Sequence, residues 1–127
     1  MKEKEVIEGV CPGKASHYIV ALDKGSGERH ISKDEVIRNY EKSFVEQCTV
    51  YKGRMINKPF HFIVDVYYPD YRHDIDGALK TLLDCAQYAK IVTDDRFCVK
   101  IDATRHYDPI RPRVEFSIIE TEPTLFG

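Results

Sequence analysis

Four acids and one lysine in the second half of the chain have the residue types and spacing of a metal-dependent hydrolysis site. Asp74 and Asp76 lie where an apolar segment ends, Lys80 follows within one helical turn of Asp76, and the pair Asp94-Asp95 comes later. In extended backbone, alternate residues face the same side, so the first two carboxylates can converge on one ion. Mg²⁺ takes oxygen ligands of this kind. The pattern predicts a Mg²⁺ site that hydrolyses a phosphodiester, with Lys80 steadying the developing negative charge.

The predicted site depends on how the chain folds around Asp95, and each of its parts also has an ordinary structural explanation. If the strand after Asp95 lies beside segment 60–68, we expect the loop that holds Asp95 to meet the end that holds Asp74. Alternatively, Asp-x-Asp before a helix is a helix cap with a polar neighbour, and Asp-Asp is a turn. Asp76 and Lys80 also have the spacing of a helix ion pair worth roughly 0.3–0.5 kcal/mol.

Three segments are the main elements that must position these residues. Segment 60–68 alternates aromatic and β-branched residues on both faces and ends at Pro69, which is typical of a central strand with partial cover on each side. Segment 76–89 carries an apolar helical stripe with Asp76 as its N-cap. The capping box Ser32-Lys33-Asp34-Glu35 begins another helix, whose apolar stripe continues to residue 48.

Shorter segments complete the predicted order of elements. Strands are expected at 5–10, 17–22, 96–107 and 114–120, the last two paired as a hairpin. The order β, β, α, β, α, β, β predicts an α+β fold in which a mixed sheet carries two main helices. The length predicts one domain spanning residues 1–127.

Composition limits the function classes. The chain is 43% hydrophobic and 31% charged, as is typical of a soluble globular protein. No apolar run approaches the roughly 18 residues that span a bilayer, and the charged amino terminus lacks an apolar signal core, so we expect a cytoplasmic protein without membrane contact. The four cysteines are scattered without a Cys-x-x-Cys pair, which indicates reduced thiols.

The charge is unevenly distributed along the chain. Residues 1–60 hold 11 basic and 9 acidic residues, a balance of +2, whereas residues 61–127 hold 8 and 12, a balance of −4. A cation bound among the acids would offset the second balance. Lys14, Lys24 and Arg29 in a turn-rich loop, and Arg72 before the first acid, are predicted to contact DNA phosphates; a solvated hairpin is the alternative for the loop. His61, a lone histidine among apolar residues, is more simply explained as hydrogen-bonded structure.

The segment Asp74-Ile75-Asp76-Gly77-Ala78-Leu79-Lys80, followed by Leu83-Asp84 and Asp94-Asp95, resembles the RusA family of Holliday-junction resolvases. Members carry an Asp-x-Asp-Asn opening, a lysine four residues after the second Asp, a Leu-Asp or Phe-Asp within the helix, and a closing Asp-Asp pair. The resemblance covers nearly the whole chain and implies a RusA-like fold. It implies that three acids ligate Mg²⁺ or a substituting Mn²⁺, beside a catalytic lysine and two supporting acids: Asp74, Asp76 and Asp95; Lys80; Asp84 and Asp94.

The same resemblance implies a symmetric homodimer that nicks two opposed strands of a four-way DNA junction and leaves 5′-phosphate and 3′-hydroxyl ends. Such enzymes act in DNA recombination and repair in bacterial or phage-infected cells, and many are phage- or prophage-encoded. The chain departs from the family at Gly77, where an Asn is usual, and in being more acidic. Two alternatives stay open: a non-catalytic DNA-binding or assembly module of the same fold, and a related nuclease that cuts flaps or forks.

Overall fold

The computed structural model describes residues 3–13 and 33–122 and confirms the α+β class. In this part of the chain it contains four strands, two helices and one 3₁₀ turn: β1 (Glu5–Glu8), α1 (Lys33–Gln47), β2 (Phe60–Tyr68), α2 (Ile75–Tyr88), the 3₁₀ turn (Asp95–Phe97), β3 (Cys98–Tyr107) and β4 (Arg113–Glu120). The expected strand at 17–22 and the capping residue Ser32 lie outside the described residues.

The strands form one mixed sheet in the order β1-β4-β2-β3. β2 is an inner strand, as predicted, and pairs antiparallel with β4 and parallel with β3. The predicted hairpin of the last two strands is wrong, because β3 and β4 lie on opposite sides of β2. The connection between them crosses the end of β2, where the Asp108 amide donates to the Tyr68 carbonyl at 2.8 Å. This crossing lets the apolar face of β4 pack beside that of β2.

Both helices pack on one face of the sheet. β2 places alternate residues there, and their side chains are almost fully buried together with those of β4 and the inner stripes of α1 and α2. Phe116 of β4 stacks on Phe44 of α1 with ring centroids 5.7 Å apart. The buried apolar stripe of α1 is the one that periodicity predicts: Ile37, Tyr40, Phe44 and Cys48.

The other face of the sheet is open in the described part of the chain. Along β2 the residues on this face are half-buried, whereas their neighbours on the helix side are buried. Within residues 3–13 and 33–122, the helix face of β2 is thus fully covered, and the other face has the partial burial that the sequence predicts. None of the described helices is long and apolar enough to cross a membrane.

A buried carboxylate fastens β1 to the end of α1. Glu5 is 2% exposed, and its oxygens accept hydrogen bonds from the backbone amides of Thr49, Val50 and Tyr51 at 2.8–3.2 Å. The Cys48 thiol donates to the same carboxylate at 3.2 Å. Burying a carboxylate is costly unless donors surround it, and here successive amides supply them. The contact fixes the path of the chain from α1 towards β2.

Candidate active site

Asp74, Asp76 and Lys80 lie together at the end of β2 and the beginning of α2, and all three side chains are exposed. The helix begins at Ile75, two residues before the start that an N-cap at Asp76 predicts. The N-cap is therefore Asp74, not Asp76, which lies in the first helical turn. The side chain of Asp74 makes no capping hydrogen bond. Both carboxylates stand at the positive end of the α2 dipole, which favours negative charge.

The turn between β2 and α2 is built by Pro69 and the residues after it. Proline has no amide hydrogen and ends the ladder at Tyr68. The His73 ring stacks on the buried Tyr68 ring, with centroids 4.6 Å apart, and ties the turn back to the strand. Arg72 donates to the Asp70 carboxylate at 2.8 Å and 3.1 Å, which holds the pKa of that carboxyl at about 2. The turn preceding Asp74 is thus fixed at both ends.

The amino-terminal segment packs across the first turns of α2. The Thr81 hydroxyl donates to the Pro12 carbonyl at 2.8 Å, and the Tyr68 hydroxyl donates to the Cys11 carbonyl at 2.7 Å. A methyl group placed on Gly13 would lie 3.5 Å from the Cα of Gly77. This is an ordinary van der Waals distance, so the amino-terminal segment packs directly on the buried Gly77 in the first turn of α2.

Lys80 is not neutralised by the acid one turn before it. Asp76 and Lys80 have the expected spacing on α2, yet their described side chains form no ion pair. The ordinary helix-pair explanation is therefore not what the structure shows. The exposed ammonium group of Lys80, one helical turn from Asp76, has the charge to attract a phosphate.

Asp95 lies at the opposite end of the sheet from Asp74. Because β2 and β3 run parallel, Phe60 pairs with Cys98 at one end and Tyr68 pairs with Tyr107 at the other. Asp95 precedes the first of these pairs, whereas Asp74 follows the second. At about 3.3 Å per residue, the nine residues of β2 separate the two ends by about 26 Å. The expectation that the loop of Asp95 meets the end that holds Asp74 is wrong within one chain.

The charges of the two acids act at different ends of the sheet. Burial raises the pKa of the Tyr68 hydroxyl, and the negative charge of Asp74 adds to that rise. Burial also raises the pKa of the Cys98 thiol, and there the charge of Asp95 adds to it. Each carboxylate therefore influences the group at its own end of the β2–β3 pair.

One chain does not gather the predicted metal ligands. Among the residues that the structure describes, no three or more His, Cys, Asp and Glu side chains lie close enough to hold a metal ion. Asp94 accepts the Arg96 amide at 2.9 Å and caps the 3₁₀ turn, as the turn explanation expects. Asp95 is exposed and makes no hydrogen bond to a described side chain. Of the three predicted metal ligands, one chain thus holds Asp74 and Asp76 at the start of α2 and Asp95 at the other end of the sheet.

The remaining predicted residues are dispersed. Asp84 is half-buried two turns along α2 from Asp76 and lines a small surface cavity with Gln87 and Tyr88. Arg72 is mostly exposed and paired with Asp70. The predicted DNA contacts in the loop lie outside the described residues: Lys14, Lys24 and Arg29.

A polar cluster on the open face of the sheet was missed from sequence. His106 lies 2.8 Å from an Asp65 oxygen, and its ring stacks on Tyr67 with centroids 4.4 Å apart. The Arg113 guanidinium also lies over the Tyr67 ring, 3.7 Å from its centroid. His61, on the same face, is not the partner of Asp65. The alternating sequence of β3 predicts which residues share a face with His106. It does not predict that His106 contacts Asp65, because that contact depends on how β3 pairs with β2.

Exposed aromatic side chains lie at the same end of the sheet as Asp74. Tyr71 and Tyr107 stack with centroids 5.3 Å apart, and the Arg105 guanidinium lies 4.7 Å from the Tyr71 centroid. Tyr71 is 72% exposed and Ile110 is 91% exposed. This end of the molecule therefore combines two acids, a lysine and exposed rings on which bases can stack.

The chain matches no protein-family model, and no curated protein is significantly similar to it. The likeness to RusA resolvases thus depends on the order and spacing of the residues quoted above.

Proposed function

We propose that this chain is a metal-dependent endonuclease that cuts branched DNA as a symmetric homodimer. Each site would combine Asp74, Asp76 and Lys80 of one subunit with Asp95 of the partner subunit. The observation that carries the proposal is the separation of the two parts of the acid set to opposite ends of the β2–β3 pair. The residues resemble those of a nuclease, but within one chain Asp95 lies too far from Asp74 and Asp76 to bind the same ion.

A dimer with a two-fold axis can bring the separated acids together without any change in the fold of either subunit. In an isologous dimer, a residue i that contacts j of the partner is matched by j contacting i of the partner. If the axis passes near the middle of the β2–β3 pair, the two subunits run in opposite directions. The Asp95 end of each subunit then lies next to the Asp74 end of its partner. The same operation creates two equivalent sites, separated by about the length of β2. Two sites related by a two-fold axis suit paired cuts in a two-fold symmetric junction.

The chemistry of the side chains suits a phosphodiester substrate. Mg²⁺ is usually held by one or two carboxylates together with substrate phosphates, and the exposed pair at the start of α2 provides carboxylates of this kind. When bound, the ion would supply charge stabilisation for the departing oxygen. Lys80 would hold a phosphate oxygen beside the acids, and the exposed ring of Tyr71 would stack on an unpaired base. Cleavage would leave 5′-phosphate and 3′-hydroxyl ends.

A non-catalytic DNA-binding or assembly module is the second candidate. Its support is the absence, in the described part of one chain, of any three-ligand group that could hold a metal. The net charge of −2 also gives little general attraction to DNA. This candidate predicts salt-sensitive binding to branched DNA without nicks, whereas a flap or fork nuclease predicts faster cutting of those substrates than of four-way junctions.

The test is cleavage of a labelled mobile four-way junction with and without Mg²⁺, with flap and fork substrates in parallel. We expect symmetric paired nicks that require the metal, and we expect Asp76→Asn to bind the junction without cutting it. Glu122→Ala, on an exposed side chain far from the site in sequence, is the matched control and should cut normally. Wild-type protein that binds the junction but leaves it intact at every Mg²⁺ concentration would contradict the proposal.

A further inference from the structure

Strand β3 is an edge strand of the sheet in the described part of the chain. It is last in the strand order, and on its far side no described strand pairs with it. At ten residues it is the longest of the four described strands, whereas β1, at the other edge, has four residues. Val99 through Thr104 are all exposed. Such an edge presents a row of unpaired backbone groups, and natural proteins usually shorten, bend or cover it.

The exposed residues of β3 include apolar ones that the helices leave uncovered. Val99 is 54% exposed and Ile101 is 40% exposed, although Ile101 pairs with the buried Phe62 of β2. Lys100 and Asp102 flank Ile101 on the opposite face and lie 3.9 Å apart. A strand that is long, apolar at its centre and charged on either side of that centre is suited to add another strand.

We propose that β3 pairs antiparallel with β3 of a second copy, about a two-fold axis at Ile101. In this register Lys100 of each subunit lies opposite the partner's Asp102, and Ile101 lies opposite the partner's Ile101. Opposite charges at facing positions stabilise a strand pair, whereas like charges destabilise it. Moving the axis to Asp102 would place that carboxylate against itself. The pairing joins two four-stranded sheets into one continuous sheet.

The register has a direct consequence for the site. With the axis at Ile101, the residues from Cys98 to Thr104 of the two strands face one another, and the 3₁₀ turn that holds Asp95 lies just beyond this pairing, towards the partner's Tyr107. In each chain Tyr107 pairs with Tyr68, the last residue of β2, and stacks on Tyr71 in the turn before Asp74. Strands lie about 4.8 Å apart, so β3 of one subunit and β2 of its partner are about 10 Å apart. Edge pairing therefore brings Asp95 to the end of the partner's sheet where the other two acids lie.

This inference deepens the proposed function, because it names the surface through which the second subunit completes the site. It rests on the proposed function only for the role of Asp95. The strand pairing itself follows from the exposed edge and its self-complementary charges, and it can be tested without DNA.

The first test measures self-association by sedimentation equilibrium. Lys100→Asp places like charges opposite each other twice per dimer, and we expect it to raise the dimer dissociation constant about tenfold. The swap Lys100→Asp with Asp102→Lys restores opposite charges and should restore the wild-type constant. A wild-type chain that stays monomeric at all concentrations would overturn the proposal, as would a double swap that dimerises no better than the single variant.

The second test measures the register by disulfide trapping in a Cys98→Ser background. Facing residues of antiparallel strands have Cα atoms about 4.5–5.5 Å apart, within the range that a disulfide bridges. Ile101→Cys should therefore give a covalent dimer on mild oxidation, whereas Thr104→Cys, three residues from the axis, should not. A non-covalent dimer in which Ile101→Cys fails to cross-link would overturn the pairing. A cross-linked dimer that cuts no branched DNA would support the pairing and remove the proposed function.

Discussion

Replacing Glu5 by alanine should destabilise the fold more than any surface substitution. The carboxylate is buried and accepts hydrogen bonds from three successive backbone amides and the Cys48 thiol. Alanine would remove every acceptor and leave the amides without a partner. The Tyr51 amide is buried, so water would not readily replace the lost oxygen there. β1 and the end of α1 would lose the contact that joins them.

The expected loss in the free energy of unfolding depends on two quantities: the hydrogen bonds that Glu5 accepts, and the cost of burying its carboxylate. Hydrogen bonds to a charged group are worth about 1.5–3 kcal/mol each, so three amides set an upper range of about 4.5–9 kcal/mol. The variant also relieves the cost of burying a carboxylate that is only 2% exposed. Removing one partner of a buried charged contact usually costs about 3–5 kcal/mol, and we expect that loss here. For a domain of this size it lowers the melting temperature by about 10–20 °C.

The assay is reversible unfolding in urea or by heating, with two companion variants. Glu5→Gln keeps the side-chain size and one acceptor oxygen, so it should lose about half as much free energy of unfolding as Glu5→Ala. Glu122→Ala removes an exposed carboxylate paired with Lys58 and should leave the unfolding midpoint unchanged. A loss below about 1 kcal/mol for Glu5→Ala would refute the reasoning, since that is what an ordinary substitution costs.

Three further predictions concern charge and reactivity. Arg72→Ala removes the donors that stabilise the ionised Asp70 carboxyl, so its pKa should rise from about 2 towards the usual 3.8, as carbon-detected NMR titration would show; an unchanged pKa would mean that another group holds it down. Lys80→Ala should lower junction cleavage by about a hundredfold or more without changing the unfolding midpoint. A near-normal rate would make Lys80 an ordinary surface residue. Burial raises the pKa of the Cys11 and Cys48 thiols to about 12, so both stay protonated at pH 8 and should resist iodoacetamide until the protein unfolds. Mass spectrometry after labelling would detect either one reacting in the native state.

The elements were predictable where the signal was local. The bounds of β2 are those that the alternation up to Pro69 predicts, and the inner stripe of α1 follows its three- and four-residue spacing. The N-cap of α2 was predicted two residues late because Asp74 and Asp76 are equally good capping types. The geometry of the turn, which the sequence pattern does not contain, selected Asp74.

The candidate site was only partly predictable because its assembly depends on strand direction. An alternating segment has the same residue pattern whether it pairs parallel or antiparallel, so nothing in 98–107 indicated that β3 runs parallel to β2. That direction separates Asp95 from Asp74 and places His106 beside Asp65. The hairpin prediction failed for a similar reason: the short connection before Arg113 can equally well cross the end of one strand and pair on its other side.

The central claim is that the acid set is completed between subunits, and mixed dimers test it most directly. Asp76→Asn and Asp95→Asn should each be inactive alone. After unfolding and refolding together, half of the dimers contain one subunit of each kind. If the site is shared, every mixed dimer has one intact site and one with both substitutions, so the mixture should recover about a quarter of the wild-type sites and make single rather than paired nicks. A mixture as inactive as its parents, beside a wild-type control that survives the same treatment, would contradict the shared site.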